Sequence, residues 1–200
     1  MALANYTDLK ASVATWLARS DLTSDIPDFI LLAESDMNQR LSTLETMTKN
    51  AAFSITGEYV AVPADFNGLR NMYRNGPPRE PIEYLTNDQQ LNAFTTTGKP
   101  RYVEVVGGNF HFAPVPDATY SATMVYYSTI PPMASNATNW LLTAHPELYL
   151  YATLAAAASR IMNDERVPLW KQLYESALAN VIKADRQSRW GVNGMTQRPG

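Results

Sequence analysis

The chain has 200 residues, 46% of them hydrophobic and 18% charged, with a formal net charge of -3. That excludes a disordered chain and argues against a general nucleic-acid binder, which needs a basic surface to displace counterions from phosphates. There is no cysteine, so disulfide scaffolds, thiolate zinc sites and cysteine nucleophiles are excluded.

The opening "MALANYTDLK" has no charged n-region and no long apolar run, unlike a secretory signal. In "YTDLKASVATWLARSD", Leu9, Val13, Trp16 and Leu17 recur at helical spacing, with Thr7 as the expected N-cap. A second helix follows, with Ile26, Phe29, Ile30, Ala33, Met37, Leu41 and Leu44 on one face. Ser24 or Asp25 is its expected cap, and Pro27 suits its first turn. Near Asn50 the helical period fades. "AAFSITGEYVAVPADF" reads as two short strands broken at Gly57 and Pro63. "TNDQQLNAF" reads as a short helix. "RYVEVVGGNFHFAP" is the clearest hairpin, with Gly107, Gly108 and Asn109 at its turn. "TYSATMVYYS" is a further strand.

Helices then return as "HPELYLYATLAAAASRIM" and "VPLWKQLYESALANVIKADRQSRW". The first is apolar nearly all round, which marks a buried helix. Thr143 is its expected cap, and His145 reads as a polar residue at its entrance. In the second, Leu169, Leu173, Ala177 and Val181 form one stripe and Trp170, Tyr174, Leu178 and Ile182 the next. Each helix pair has an apolar face that it cannot bury alone. The economical solution is an α+β chain: a four-helix bundle formed by the N- and C-terminal helix pairs (1–49 and 134–189), with an inserted β-rich, sandwich- or barrel-like domain (50–133). Residues 190–200 form a flexible C-terminal tail. The expected bundle core includes Trp16, Phe29, Ile30, Leu150, Leu154, Ala155, Ala158, Leu173 and Leu178.

Catalytic and metal chemistry find no support. A general base needs a partner within hydrogen-bond reach, and no local spacing offers His145 one. His111 lies mid-strand on the opposite face from Phe110 and Phe112, so it is expected to face solvent. Two histidines without cysteine make a zinc site improbable. Glu34 and Asp36 point to different sides of their helix and are no catalytic pair. "VVGGNF" lacks the spacing of a dinucleotide fingerprint and the lysine of a P-loop. No stretch reaches the roughly 20 apolar residues of a membrane span. The expectation is a non-enzymatic protein without cofactor, metal or membrane.

"YTDLKASVATWLARSDL…IPDFILLAESDMNQRL", "PADFNGLRNMY" and "NWLLTAHPELYLYATLAAAA" resemble, in that order, the head–tail adaptor proteins of tailed bacteriophages, the connector, gatekeeper or tail-tubular-A-like proteins. The resemblance implies a ring, commonly of twelve subunits, docked under the portal protein at the capsid–tail junction of the virion and assembled in the host cytoplasm. It implies that the ring extends the DNA channel, passes double-stranded DNA without sequence-specific binding, and seats the next tail or nozzle protein. It also implies a C-terminal segment that reaches the portal, here about Arg186 to Gly200. That segment holds Arg186, Arg189, Trp190 and Arg198 and no carboxylate. Gly107, Gly108 and Asn109 are the candidate contacts for the tail component below. The first 48 residues carry seven acidic and three basic side chains, which makes the first helix pair the candidate acidic surface. The competing reading is a carbohydrate- or protein-binding β module carried on a helical bundle, argued from Tyr120, Tyr126, Tyr127, Tyr149 and Tyr151.

Overall fold

A computed structural model describes residues 3–86, 94, 96–161 and 164–190, with the backbone alone at 189 and 190. The expected "TNDQQLNAF" helix and Arg198 lie largely or wholly outside these residues. The chain divides into two compact units, 1–46 with 130–200, and 47–129.

In the helical unit, α1 (Tyr6–Leu17) is capped by Asn5, whose Oδ1 accepts the Asp8 amide at 3.0 Å. Thr7 lies inside the helix, so the expected cap is displaced by two residues. The Asn5 Nδ2 also donates to the Asp8 carboxylate at 3.0 Å, which a threonine hydroxyl at position 7 would not reproduce. Helix α2 (Ile26–Arg40) starts with Pro27 in its first turn and buries Ile26, Phe29, Ile30, Ala33, Glu34 and Met37. Neither expected side-chain cap forms there: Asp25 is at the N-cap position but makes no cap hydrogen bond, and its carboxylate accepts from Arg160 instead at 3.1 Å.

The returning chain forms α3 (Trp140–Ala144), α4 (Pro146–Ala157) and α5 (Val167–Trp190). Asn139 caps α3 by accepting the Leu142 amide at 2.8 Å, so Thr143 is an interior residue and not a cap. Its hydroxyl turns back onto the Asn139 carbonyl at 2.9 Å. Helix α4 packs against α1, α2, α3 and α5. Its apolar circumference follows from having neighbours on several sides.

The second unit is built on a large curled sheet. Its strands are β1 (Thr48–Ile55), β2 (Tyr59–Ala61), β3 (Phe66–Arg74), β4 (Glu80–Tyr84), β6 (Tyr102–Val106), β7 (Asn109–Ala113) and β9 (Tyr120–Ser128), in the order β1-β9-β3-β4-β6-β7-β2. A small parallel pair, β5 (Thr97–Gly98) with β8 (Val115–Pro116), lies apart from it. Strand β1 pairs with β9 from Thr48–Tyr127 to Ile55–Tyr120, and β2, four residues after β1 ends, pairs with β7 at the far end of the order. Both ends of the sheet therefore belong to one stretch of chain, which curls it. The Phe53 ring of β1 meets Phe110 of β7 at 5.3 Å, edge to face. Ile55, Met72, Ile82, Val103, Phe110, Phe112, Ala122, Met124 and Tyr126 fill the interior. The expected hairpin pairs Val106 with Asn109 across Gly107 and Gly108, whose φ values of 56° and 78° are the left-handed pair a two-residue hairpin turn requires. The chain is thus a mixed α+β protein.

Candidate functional site

A carboxylate lies inside the apolar stripe of α2. Glu34 is 4% exposed, one turn from Ile30 and three residues from Met37. Its Oε1 accepts the Met133 amide at 2.8 Å and the Tyr149 hydroxyl at 3.0 Å. Asn139 joins the cluster, donating through Nδ2 to the Tyr149 oxygen at 2.5 Å and to the Pro131 carbonyl at 2.8 Å. Asn38 of α2 accepts the Ile130 amide at 2.7 Å, and the Tyr6 amide donates to the Ala137 carbonyl at 2.8 Å. The irregular stretch 130–137 is thus tied down by α1, α2 and α3. Burial pushes the Glu34 carboxyl above its ordinary pKa, against the hydrogen bonds from Met133 and Tyr149. Burial, and then the Glu34 charge, push the Tyr149 phenol well up. Sequence reasoning missed this cluster. The available signal was a glutamate at a core position of α2.

Between α2, α4 and α5 runs a groove of about 380 Å³. Ala152, Ala155 and Ala156 line it with Leu32, Tyr174 and Lys171. Arg40 makes a two-pronged pair with Glu175 at 2.7 and 2.6 Å, and the Tyr174 hydroxyl donates to Asp36. The hydrogen bonds to Glu175 hold the Arg40 guanidinium well above its usual pKa. A second groove, about 430 Å³, lies near the last turns of α5, lined by Trp140, His145, Val181 and Asp185 among others.

Of the expected core residues, Phe29, Ile30, Leu150, Leu154 and Leu178 are buried. Ala155, Ala158 and Leu173 are only half-buried; Ala155 lies on the wall of the groove. Trp16 is 43% exposed, its ring meeting Tyr151 edge-on at 6.0 Å. Periodicity put it in the core, but it falls at the edge of the stripe centred on Leu9, Val13 and Leu17. Arg186 is exposed on α5, and Arg189 and Trp190 belong to the last turn of that helix. The expected tail, 190–200, otherwise lies outside the described residues. The Gly107–Gly108 tip is open: a Cβ at either would meet nothing within 4 Å. Asn109 Nδ2 donates to the Gly107 carbonyl at 3.3 Å, closing the turn.

Each histidine has a carboxylate near it. His145 joins α3 to α4, with Nδ1 3.6 Å from Glu147. His111 does not face solvent. It is 4% exposed, its ring stacked on Tyr59 at 4.5 Å and its Nε2 3.3 Å from Glu58. Its cross-strand neighbours cover that face: Tyr59 of β2 and Glu104 of β6 are directly opposite His111 on either side. Among the described residues no three metal-ligating side chains gather, and no helix is long and apolar enough to cross a membrane.

The described residues present grooves, exposed apolar side chains and surface ion pairs, the features of an interaction-bearing protein. The chain matches the SU10 adaptor protein family over residues 4–198 and belongs to it. It is therefore related to phage head–tail adaptors, virion structural proteins that connect portal and tail and are typically non-enzymatic. No curated protein matches it.

Proposed function

We propose that the protein forms a ring of about twelve copies below the portal, extends the DNA channel and seats the next tail component. The observation that carries this reading is the family match, which runs through both units from residue 4 to residue 198. In this reading the helices of 1–49 and 134–189 act as a four-helix bundle domain and 50–133 as the inserted β domain. The C-terminal segment from Arg186, with Arg189, Trp190 and Arg198, engages the portal, Trp190 acting as the aromatic anchor. Gly107, Gly108 and Asn109 offer the open hairpin tip to the component below. The acidic first helix pair suits a conduit, because a lumen lined with cations would hold phosphates and slow DNA passage.

Truncation after Asp185 tests the portal assignment. The shortened chain should keep its helical signal and lose binding to the portal oligomer. Undiminished binding would contradict the assignment. The full chain should shift no duplex DNA at physiological salt, and a salt-sensitive gel shift would contradict the conduit reading.

A further inference from the structure

Helix α4 is apolar on nearly every side, yet Ala155 and Ala156 are left half-exposed on the wall of the α2–α5 groove. Small residues there permit close approach by an incoming side chain. Asp36, Arg40, Tyr174 and Glu175 partner one another on the groove. Lys171, also on the groove, has no ion pair among the described residues.

The other flank of α5 carries the opposite features. Leu169 and Lys171 are two residues apart, so their side chains leave the helix about 200° apart. Leu169 is 52% exposed and Trp16 43%. Arg166 holds these two regions together: its Nη1 donates to the Trp16 carbonyl at 3.0 Å and its Nη2 to the Leu17 carbonyl at 3.1 Å. Beside it, Glu165 is exposed and has no ion pair among the described residues. One flank is thus an apolar knob beside an anion, and the other a small-walled groove beside a cation, neither with an ion pair among the described residues.

We infer that the α2–α5 groove receives the Trp16–Leu169 end of a second copy of this chain, with the Glu165 carboxylate of one copy meeting the Lys171 ammonium of the next. Two different patches in contact make a head-to-tail interface, which passes from copy to copy and closes when the rotation allows. Burial of the knob removes the exposed tryptophan and leucine from water, and the charge pair fixes the register. The inference specifies the subunit contact of the ring proposed above and rests on that reading.

The chain has no cysteine, so only introduced thiols can be linked. A chain carrying both Leu169→Cys and Ala156→Cys is oxidised, or bridged with a short bismaleimide. This is done in free protein over a concentration series and in phage particles carrying the variant. It should give a ladder of linked oligomers, whereas a mixture of the two single variants should stop at a heterodimer. Lys171→Glu should reduce the ladder roughly tenfold, and adding Glu165→Lys in the same chain should restore it. No ladder in either preparation, self-linking of Leu169→Cys alone, or failure of the charge swap to restore linkage would overturn the contact. The same particles, imaged, separate the two ideas: a ring without the ladder leaves the ring reading and removes this contact. A ladder without a ring below the portal does the reverse.

Discussion

The two units treat their aromatic side chains differently. In the β unit one cluster of rings gathers inward, although Tyr59 and Tyr84 are exposed: Phe110 meets Phe53 at 5.3 Å and Phe66 at 5.2 Å, and Phe66 stacks on Tyr126 at 5.8 Å. In the helical unit they are dispersed. Trp170 and Tyr149 are buried, while Trp16 lies on the surface. Leu31, Leu32 and Leu169 are exposed there too, at 60%, 55% and 52%. The interiors also differ, since the helical unit holds the Glu34–Tyr149–Asn139 cluster where an aliphatic core would serve. A curled sheet closes its own interior. Helices packed around α4 leave grooves open to solvent, and Lys171, without an ion pair among the described residues, lines one of them.

The largest expected effect is on the ring cluster. Phe110→Ala should cost the protein about 3–5 kcal/mol, because the cavity is bounded by strands that cannot collapse into it. Urea unfolding followed by β-sheet circular dichroism measures it. A loss below about 1 kcal/mol would mean that the ring packing is not what closes the sheet.

Glu34 gives the next effect. Glu34→Ala leaves the Met133 amide and Tyr149 hydroxyl without their acceptor, at about 1–3 kcal/mol for each buried group. Glu34→Gln keeps an acceptor and removes the charge. The folded carboxyl has a raised pKa, so between the unfolded and folded values the native state binds more protons, and stability falls as pH rises. The penalty is absent below the unfolded value and complete above the folded one. Wild type should therefore lose stability as pH rises through that window, and Glu34→Gln should not. Equal pH dependence of the two chains would show that the buried carboxylate carries no such cost.

Gly108→Ala should cost about 1 kcal/mol. The site has open space, so the cost comes from φ +78° alone and is read as a small drop in melting temperature. The smallest expected effect is at the Arg40–Glu175 pair, whose side chains are 35% and 56% exposed. Arg40→Ala should cost at most about 1 kcal/mol, shrinking in high salt. A larger, salt-insensitive loss would show that Arg40 supports packing on Tyr174, whose ring lies 5.4 Å from its guanidinium.

Local order was legible in the sequence wherever a single element decides it. The β6–β7 turn follows from two glycines, and the α2 stripe from its spacing. What escaped needed partners distant in the chain. Glu34 and Tyr149 are 115 residues apart, and nothing near either announces the other. His111 obeyed strand alternation, but the side chains opposite it on β2 and β6 cover its face. Trp16 failed for the opposite reason: helical phase places it at the edge of its stripe, and only the neighbouring helices decide whether an edge is covered. The exposed knob and groove were equally invisible, because exposure is a property of the packed unit.

The central claim is that this chain caps the portal as a ring. Co-sedimentation of the purified full chain with the portal oligomer of the same phage, followed by electron microscopy of the pellet, tests it most directly. The account predicts one closed ring of copies stacked coaxially on the portal. Portal that sediments bare across salt and protein concentrations would contradict it.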